Sequence, residues 1–211
     1  MNIKNFEVMR WHSFFDGFIL HAPIAVIYFA KVSGSFALGM SVFSIGMVSS
    51  ALLEIPTGIF SDKIGRKKTI LLGSISSVVF IFIYAMATSY QMLLMGAVIA
   101  GFSRSLFSGN NEALLHDSLK ENGIEKEFSH YYGKVSAMEQ SALGIAAVIG
   151  GIIASWSLRS VFWFSLIPQI ICVFLSFQLT EPKVHSKESG NIYLHLKEAL
   201  KGFATNKKLR L

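Results

Sequence analysis

Charge is scarce in this sequence: 15% of its 211 residues are Asp, Glu, Lys or Arg, against 52% hydrophobic residues and a mean hydropathy of +0.51. A water-soluble domain of this length distributes charge along every amphipathic helix. Here the charges gather in short stretches between long apolar runs, which excludes water as the main solvent. The single cysteine, Cys172, excludes an intrachain disulfide, and no motif around it makes it a nucleophile, so it reads as packing. His116, His130, His185 and His195 do not cluster at metal-ligand spacing, and neither a Gly-rich phosphate loop nor a nucleophile elbow occurs. No enzyme, metal or cofactor is expected. Proline is scarce, and Pro23, Pro56 and Pro168 fall inside apolar runs, where each predicts a helix kink.

Six apolar segments reach the roughly 20 residues that a helix needs to cross a bilayer core. They run over about 11–32, 36–60, 69–89, 91–116, 132–156 and 159–180. An Asp interrupts the first at Asp16, and no small-residue cleavage pattern ends it, so it reads as a span and not as a signal peptide. The turns Val32 to Ser35, Thr88 to Gln91 and Trp156 to Arg159 are short, whereas the connections on the other side are longer and basic. Eleven Lys and Arg residues lie on that side, among them Lys63, Arg66, Lys67 and Lys68, against Lys31 and Arg159 opposite. The formal charge of +6 therefore reads as a cytoplasmic bias that places the N-terminus and residue 211 inside, and not as a nucleic-acid surface.

Residues 1–183 form the expected six-span bundle, and 184–211 a cytoplasmic linker. Ile192, Leu196, Ala199, Leu200 and Phe203 share one helical face there, which predicts a short amphipathic helix at the membrane surface, against the bundle or simply solvated. The basic end, Lys207 to Leu211, has the look of a flank before another span.

Between the second and third segments stands Gly58-Ile59-Phe60-Ser61-Asp62-Lys63-Ile64-Gly65-Arg66-Lys67-Lys68. Gly58 would let another helix approach closely, and Gly65 would permit a tight turn. Asp62 could accept from helix N-terminal amides, and Arg66 offers a rigid fork to a carboxylate, for which Asp117 is the best available partner. The stretch resembles the G-x-x-x-D-R/K-x-G-R-R/K signature of the major facilitator superfamily at every constrained position. Glu54-Ile55-Pro56-Thr57-Gly58, just before it, is similar to the E-x-P-T-G that family members often carry. The resemblance implies an all-α fold whose N-terminal half has six transmembrane helices in two inverted three-helix repeats. It also implies a latch made of Gly58, Asp62, Gly65, Arg66 and Lys67, completed by Asp117. The lysines taken alone could equally do no more than set topology.

Ionisable residues inside the spans are costly, so each is a site candidate. Asp16, with His12 and His21 on the same helix, reads as a proton-coupling group or as an interface residue. Glu54 reads as a coupling carboxylate or a structural one. Arg104, Ser108, Asn111 and Glu112, with Gly101, fall within an arc of about 100° on a regular helix, a polar stripe that must face the bundle interior. Arg104 needs a counter-ion that Asp16, Glu112 or Glu139 could supply, and it lines a cavity or makes a structural ion pair. The family often places an arginine here with a glycine four residues on; Ser108 occupies that place, and Gly109 follows one later. Ser141, Gly144, Ala147, Gly151 and Ala154 predict a smooth packing face on the fifth span. The family's G-P-x-x-G-G antiporter element is present there only as Gly150-Gly151.

The resemblance implies secondary active transport of a small molecule across the cytoplasmic membrane by alternating access, coupled to protons, with drug efflux ahead of nutrient uptake. The partners it implies are the lipid bilayer, the substrate, protons and a second six-helix half in the same chain or a dimer mate. The other reading is a membrane binding or sensing protein built on the same bundle.

Overall fold

A computed structural model describes residues 4–183. The expected amphipathic helix at 192–203 lies outside the described residues. Eight α-helices follow in order: α1 Lys4–Asp16, α2 Ala25–Ser33, α3 Phe36–Ile64, α4 Arg66–Met86, α5 Tyr90–Phe107, α6 Asn110–Glu121, α7 Phe128–Trp156 and α8 Leu158–Gln178. A single 3₁₀ turn at Glu125–Glu127 leads into α7, and no strand occurs among the described residues. Five helical stretches are long and apolar enough to cross a membrane: Phe36–Ile64, Arg66–Met86, Tyr90–Glu121, Glu125–Trp156 and Leu158–Gln178.

The first expected span, 11–32, is not one helix. It breaks between Asp16 and Ala25, where the backbone bonds switch to short turns such as Ile19 N–H to Gly17 O (2.8 Å) and Ile24 N–H to His21 O (3.1 Å). Pro23 lies in this break and so is not a kink within a helix: it has no N–H to give, and it biases Ala22 away from helical angles. Pro56 and Pro168, by contrast, sit inside continuous helices. Beside Pro56 the Thr57 hydroxyl lies 2.8 Å from Leu53 O and 3.1 Å from Ser105 O, tying α3 to α5.

The fourth expected span, 91–116, is also interrupted. Gly109 takes φ +70° between α5 and α6, a conformation suited to a residue without Cβ. Everything after it is rotated out of the phase that a continuous helix predicts, so the stripe from Gly101 to Glu112 does not survive as one line.

Two buried clusters hold the helices together. One gathers Tyr28, Phe29, Tyr84, Leu93 and Phe162 around α2, α4, α5 and α8; the other joins Phe6, Met9, Ile70, Leu115 and Leu179 at the end where the Gly65 turn lies. Between apolar helices in lipid the gain is close packing more than release of water. Tyr28 and Phe162 rings stand 4.4 Å apart, and the Tyr28 hydroxyl donates to Tyr84 O at 2.7 Å.

Helix α7 packs through Ala142, Ala146 and Gly150, one position off the face expected from Ser141, Gly144 and Gly151, which are exposed. A Cβ on Gly150 would run into the Leu20 carbonyl, while Gly144 and Gly151 have nothing within 4 Å among the described residues. The interrupted segment after α1 decides this: its carbonyl-bearing turn needs a place on α7 with no side chain, and Gly150 is the glycine that faces it. Gly58 is exposed, and no helix among the described residues comes within 4 Å of its Cβ position.

Candidate functional site: a polar cavity and a charged turn

Two polar constellations stand out, one inside the bundle and one at its end. The inner one is a cavity of about 580 Å³ that carries Asp16, Glu139 and Arg104 on its wall. Asp16 is the last residue of α1, and the next residue, Gly17, lies against the Glu139 backbone, its Cβ position 2.7 Å from the Glu139 carbonyl oxygen. The two carboxylates are thereby brought to one place by a glycine contact between α1 and α7. Ile19, His21 and Ala22 of the break also reach the wall, and the rest is mostly apolar with several aromatic rings, among them Phe29, Phe43, Phe80 and Phe107.

Arg104 makes no ion pair among the described residues, and neither Asp16 nor Glu139 does. Three charged groups thus share one cavity without being locked together. His12 and His21 turn away from Asp16: His12 Nε2 is 3.0 Å from Ser74 Oγ, and His21 Nδ1 is 3.4 Å from Ser165 Oγ. Cys172 is fully buried, its Sγ 3.5 Å from His12 O, in keeping with a packing role.

The remaining members of the expected stripe scatter. Ser108 donates to Glu54 Oε1 at 2.9 Å outside the cavity, and Glu112 Oε1 accepts from Tyr132 at 3.2 Å. Neither Glu54, Glu112 nor Asn111 lines the cavity. The buried asparagine is Asn110, which joins Ser61 of α3 and Leu106 O of α5 through its side chain. The phase slip at Gly109 explains the exchange of Asn110 for Asn111.

The outer constellation is the turn between α3 and α4. Gly65 adopts φ +97°, which ends α3 and opens α4 with no intervening residue. Arg66 Nε donates to Asp117 Oδ2 at 2.9 Å, with side-chain exposures of 21% and 17%, so this charge-assisted bond is largely shielded. Asp62 is exposed and does not cap the helix that follows. That place belongs to Glu181, whose two carboxylate oxygens accept the Arg66 and Lys67 backbone N–H groups at 2.8 Å each. An acid at the first turn of α4 neutralises amides that have no intrahelical partner.

Glu181 was not legible as a site residue, because it lies over a hundred positions from the turn it caps. Its place also explains the strictness at Gly65, where a Cβ would stand 2.8 Å from the Glu181 carboxylate besides being strained by the positive φ. Asn5 closes the same end. It donates to Ser118 Oγ and Thr180 O at 2.8 Å each and accepts from Thr180 N at 2.9 Å. The start of α1, α6 and the exit of α8 are thus clasped beside the Arg66–Asp117 pair.

The family model for the Major Facilitator Superfamily matches residues 12–209. The chain belongs to the Major Facilitator Superfamily. Among similar curated proteins, the uncharacterized transporter BU466 of Buchnera aphidicola subsp. Acyrthosiphon pisum (strain APS) is 30% identical over 162 residues, covering 75% of this chain and 40% of that relative. The quinolone resistance protein NorA of Staphylococcus aureus is 28% identical over 178 residues, covering 83% of this chain and 44% of its own length. The chain spans less than half the length of these relatives.

Proposed function

We propose that this chain is the N-terminal six-helix bundle of a secondary active transporter that moves a small molecule across the cytoplasmic membrane by alternating access. In this reading α1, the break and α2 together make the first of six spans, and the fourth is α5 with α6. The first and fourth spans hold corresponding positions in a pair of inverted three-helix repeats, and both are interrupted. Interrupted spans in matching positions are a mark of transporter binding sites; the first break lines the cavity through Ile19, His21 and Ala22, where broken backbone is tolerated, whereas the break at Gly109 lies off it.

The observation that carries the reading is the cavity itself: Asp16, Glu139 and Arg104 stand unpaired within one aromatic-walled space, beside the first helix break. Charges are kept inside a membrane bundle, at a cost of about 2.5–3.5 kcal/mol each on insertion scales, when a substrate or ion uses them. Proton coupling is assigned to the carboxylates Asp16 and Glu139, with Arg104 as the group that answers their change of charge. Glu54, Ser108, Asn111 and Glu112, which lie off the cavity, are assigned to its approach. The similarity to a quinolone resistance protein supports placing efflux ahead of uptake.

The cavity closes against a second six-helix half. Helix α3 buries only Gly39, Val42, Thr57 and Ser61 of its 29 residues, which leaves an apolar face for that partner or for lipid. Gly65, Arg66, Lys67 and Asp117 act as the latch of one conformational state with Asp62 and Gly58 at its rim, and Glu181 fixes the turn's geometry.

Full-length protein in proteoliposomes should move ethidium or a quinolone against its gradient when a pH gradient is imposed, and should lose that uphill movement altogether when an ionophore collapses it. Flux that persists unchanged without the gradient removes proton coupling; no flux under either condition removes transport. For orientation, Lys63→Cys should react with a membrane-impermeant maleimide from the inner face only, Cys172 being buried. Labelling of intact cells from outside would invert the topology.

A further inference from the structure

Helix α8 carries no Asp, Glu, Lys or His, yet it contributes a polar side chain to the cavity. Gln169 is 7% exposed, lines the same space as Asp16 and Glu139, and its Oε1 is buried with no hydrogen-bond partner. Its helix neighbours do not satisfy it: Ser165, one turn earlier, donates to Val161 O at 2.8 Å and meets His21 at 3.4 Å. An unanswered amide oxygen in a water-poor interior is costly, and the cost vanishes when a ligand brings an N–H or O–H. The break after α1 is what makes room, since Ile19, His21 and Ala22 line the cavity together with Gln169.

We infer that Gln169 is a ligand-contacting residue of the cavity, and that it selects aromatic cations bearing an N–H donor over those that carry none. The class follows from the wall. Phe29, Phe80 and Phe107 offer ring faces to an aromatic cation, the carboxylates Asp16 and Glu139 outnumber Arg104, and Gln169 adds the acceptor that reads the donor. A site built to bond an N–H discriminates strongly against an analogue without one, because its own polar group is then left unpaired. This rests on the cavity being the substrate site of the transport reading.

The test is equilibrium binding to the full-length protein in lipid nanodiscs, read by calorimetry, with two permanent aromatic cations. Ethidium carries aromatic amines; tetraphenylphosphonium carries no N–H at all. Gln169→Met, close in volume but without an acceptor amide, should weaken ethidium by about tenfold and leave tetraphenylphosphonium within about twofold. Gln169→Glu keeps an acceptor oxygen and should keep ethidium within about threefold of the parent. Equal losses for both cations with Gln169→Met, unchanged affinities for both, or loss of ethidium with Gln169→Glu overturn the inference. A parent protein that binds neither cation overturns it as well. Because binding is measured and not flux, a protein that binds selectively but moves nothing fails the transport reading while this one stands.

Discussion

Replacing Gly150 with alanine is expected to lower the melting temperature of the detergent-solubilised protein, whereas alanine at the next position, Gly151, is expected to raise it. The substitution is chemically the same in both cases. At Gly150 the added Cβ meets the backbone carbonyl of Leu20, and backbone in a turn held by its own short hydrogen bonds cannot retreat as a flexible side chain would. Overpacking of this kind costs about 1–3 kcal/mol, and the upper part of that range applies when the obstacle is backbone. At Gly151 nothing lies within 4 Å among the described residues, so the helix interior gains the 0.5–1 kcal/mol or so by which alanine exceeds glycine. Thermal unfolding of the two variants side by side checks the sign. Equal shifts would mean that the broken first segment does not rest on α7 as described.

Breaking the Arg66–Asp117 pair is expected to have the other large effect. Removing either partner leaves a charge about four-fifths shielded from water and without its charge-assisted bond, for which a loss of about 1.5–3 kcal/mol is typical. The appropriate measurement is a double-mutant cycle of Arg66→Ala and Asp117→Ala on thermal stability, where a coupling of about 1 kcal/mol or more is expected from contacting residues. Arg66→Lys should recover little, because the bond uses Nε of the guanidinium, which lysine lacks. Strictly additive single losses would leave the pair a contact without energetic content, and with it the latch assignment would go.

What could be read in advance and what could not divides along the range of the interactions. The apolar runs behind α3, α4, α7 and α8 are visible in the chain because a membrane-crossing helix satisfies its backbone internally, whatever its neighbours. The turn at Gly65 and the partner for Arg66 could be named because the special conformation needs glycine and Asp117 stands at the end of the fourth expected span on the same side as the turn. The stripe on the fourth span failed for an equally local reason. A helical wheel assumes unbroken rotation, and Gly109 resets the phase, so Asn110 is buried where Asn111 was expected and Ser108 leaves the helix to meet Glu54.

The amino-acid order by itself determined that this is an all-helical membrane chain of the Major Facilitator Superfamily, because segregation of charge from long apolar runs and a ten-residue loop signature are properties of consecutive residues. Tertiary structure alone decided that the first span breaks, that Gly150 and not Gly151 carries the packing, that Glu181 caps α4, and that Gln169 faces the cavity. The last three depend on which backbone lies opposite, across more than a hundred residues of chain. No periodicity within a single helix records the identity of a neighbour that distant.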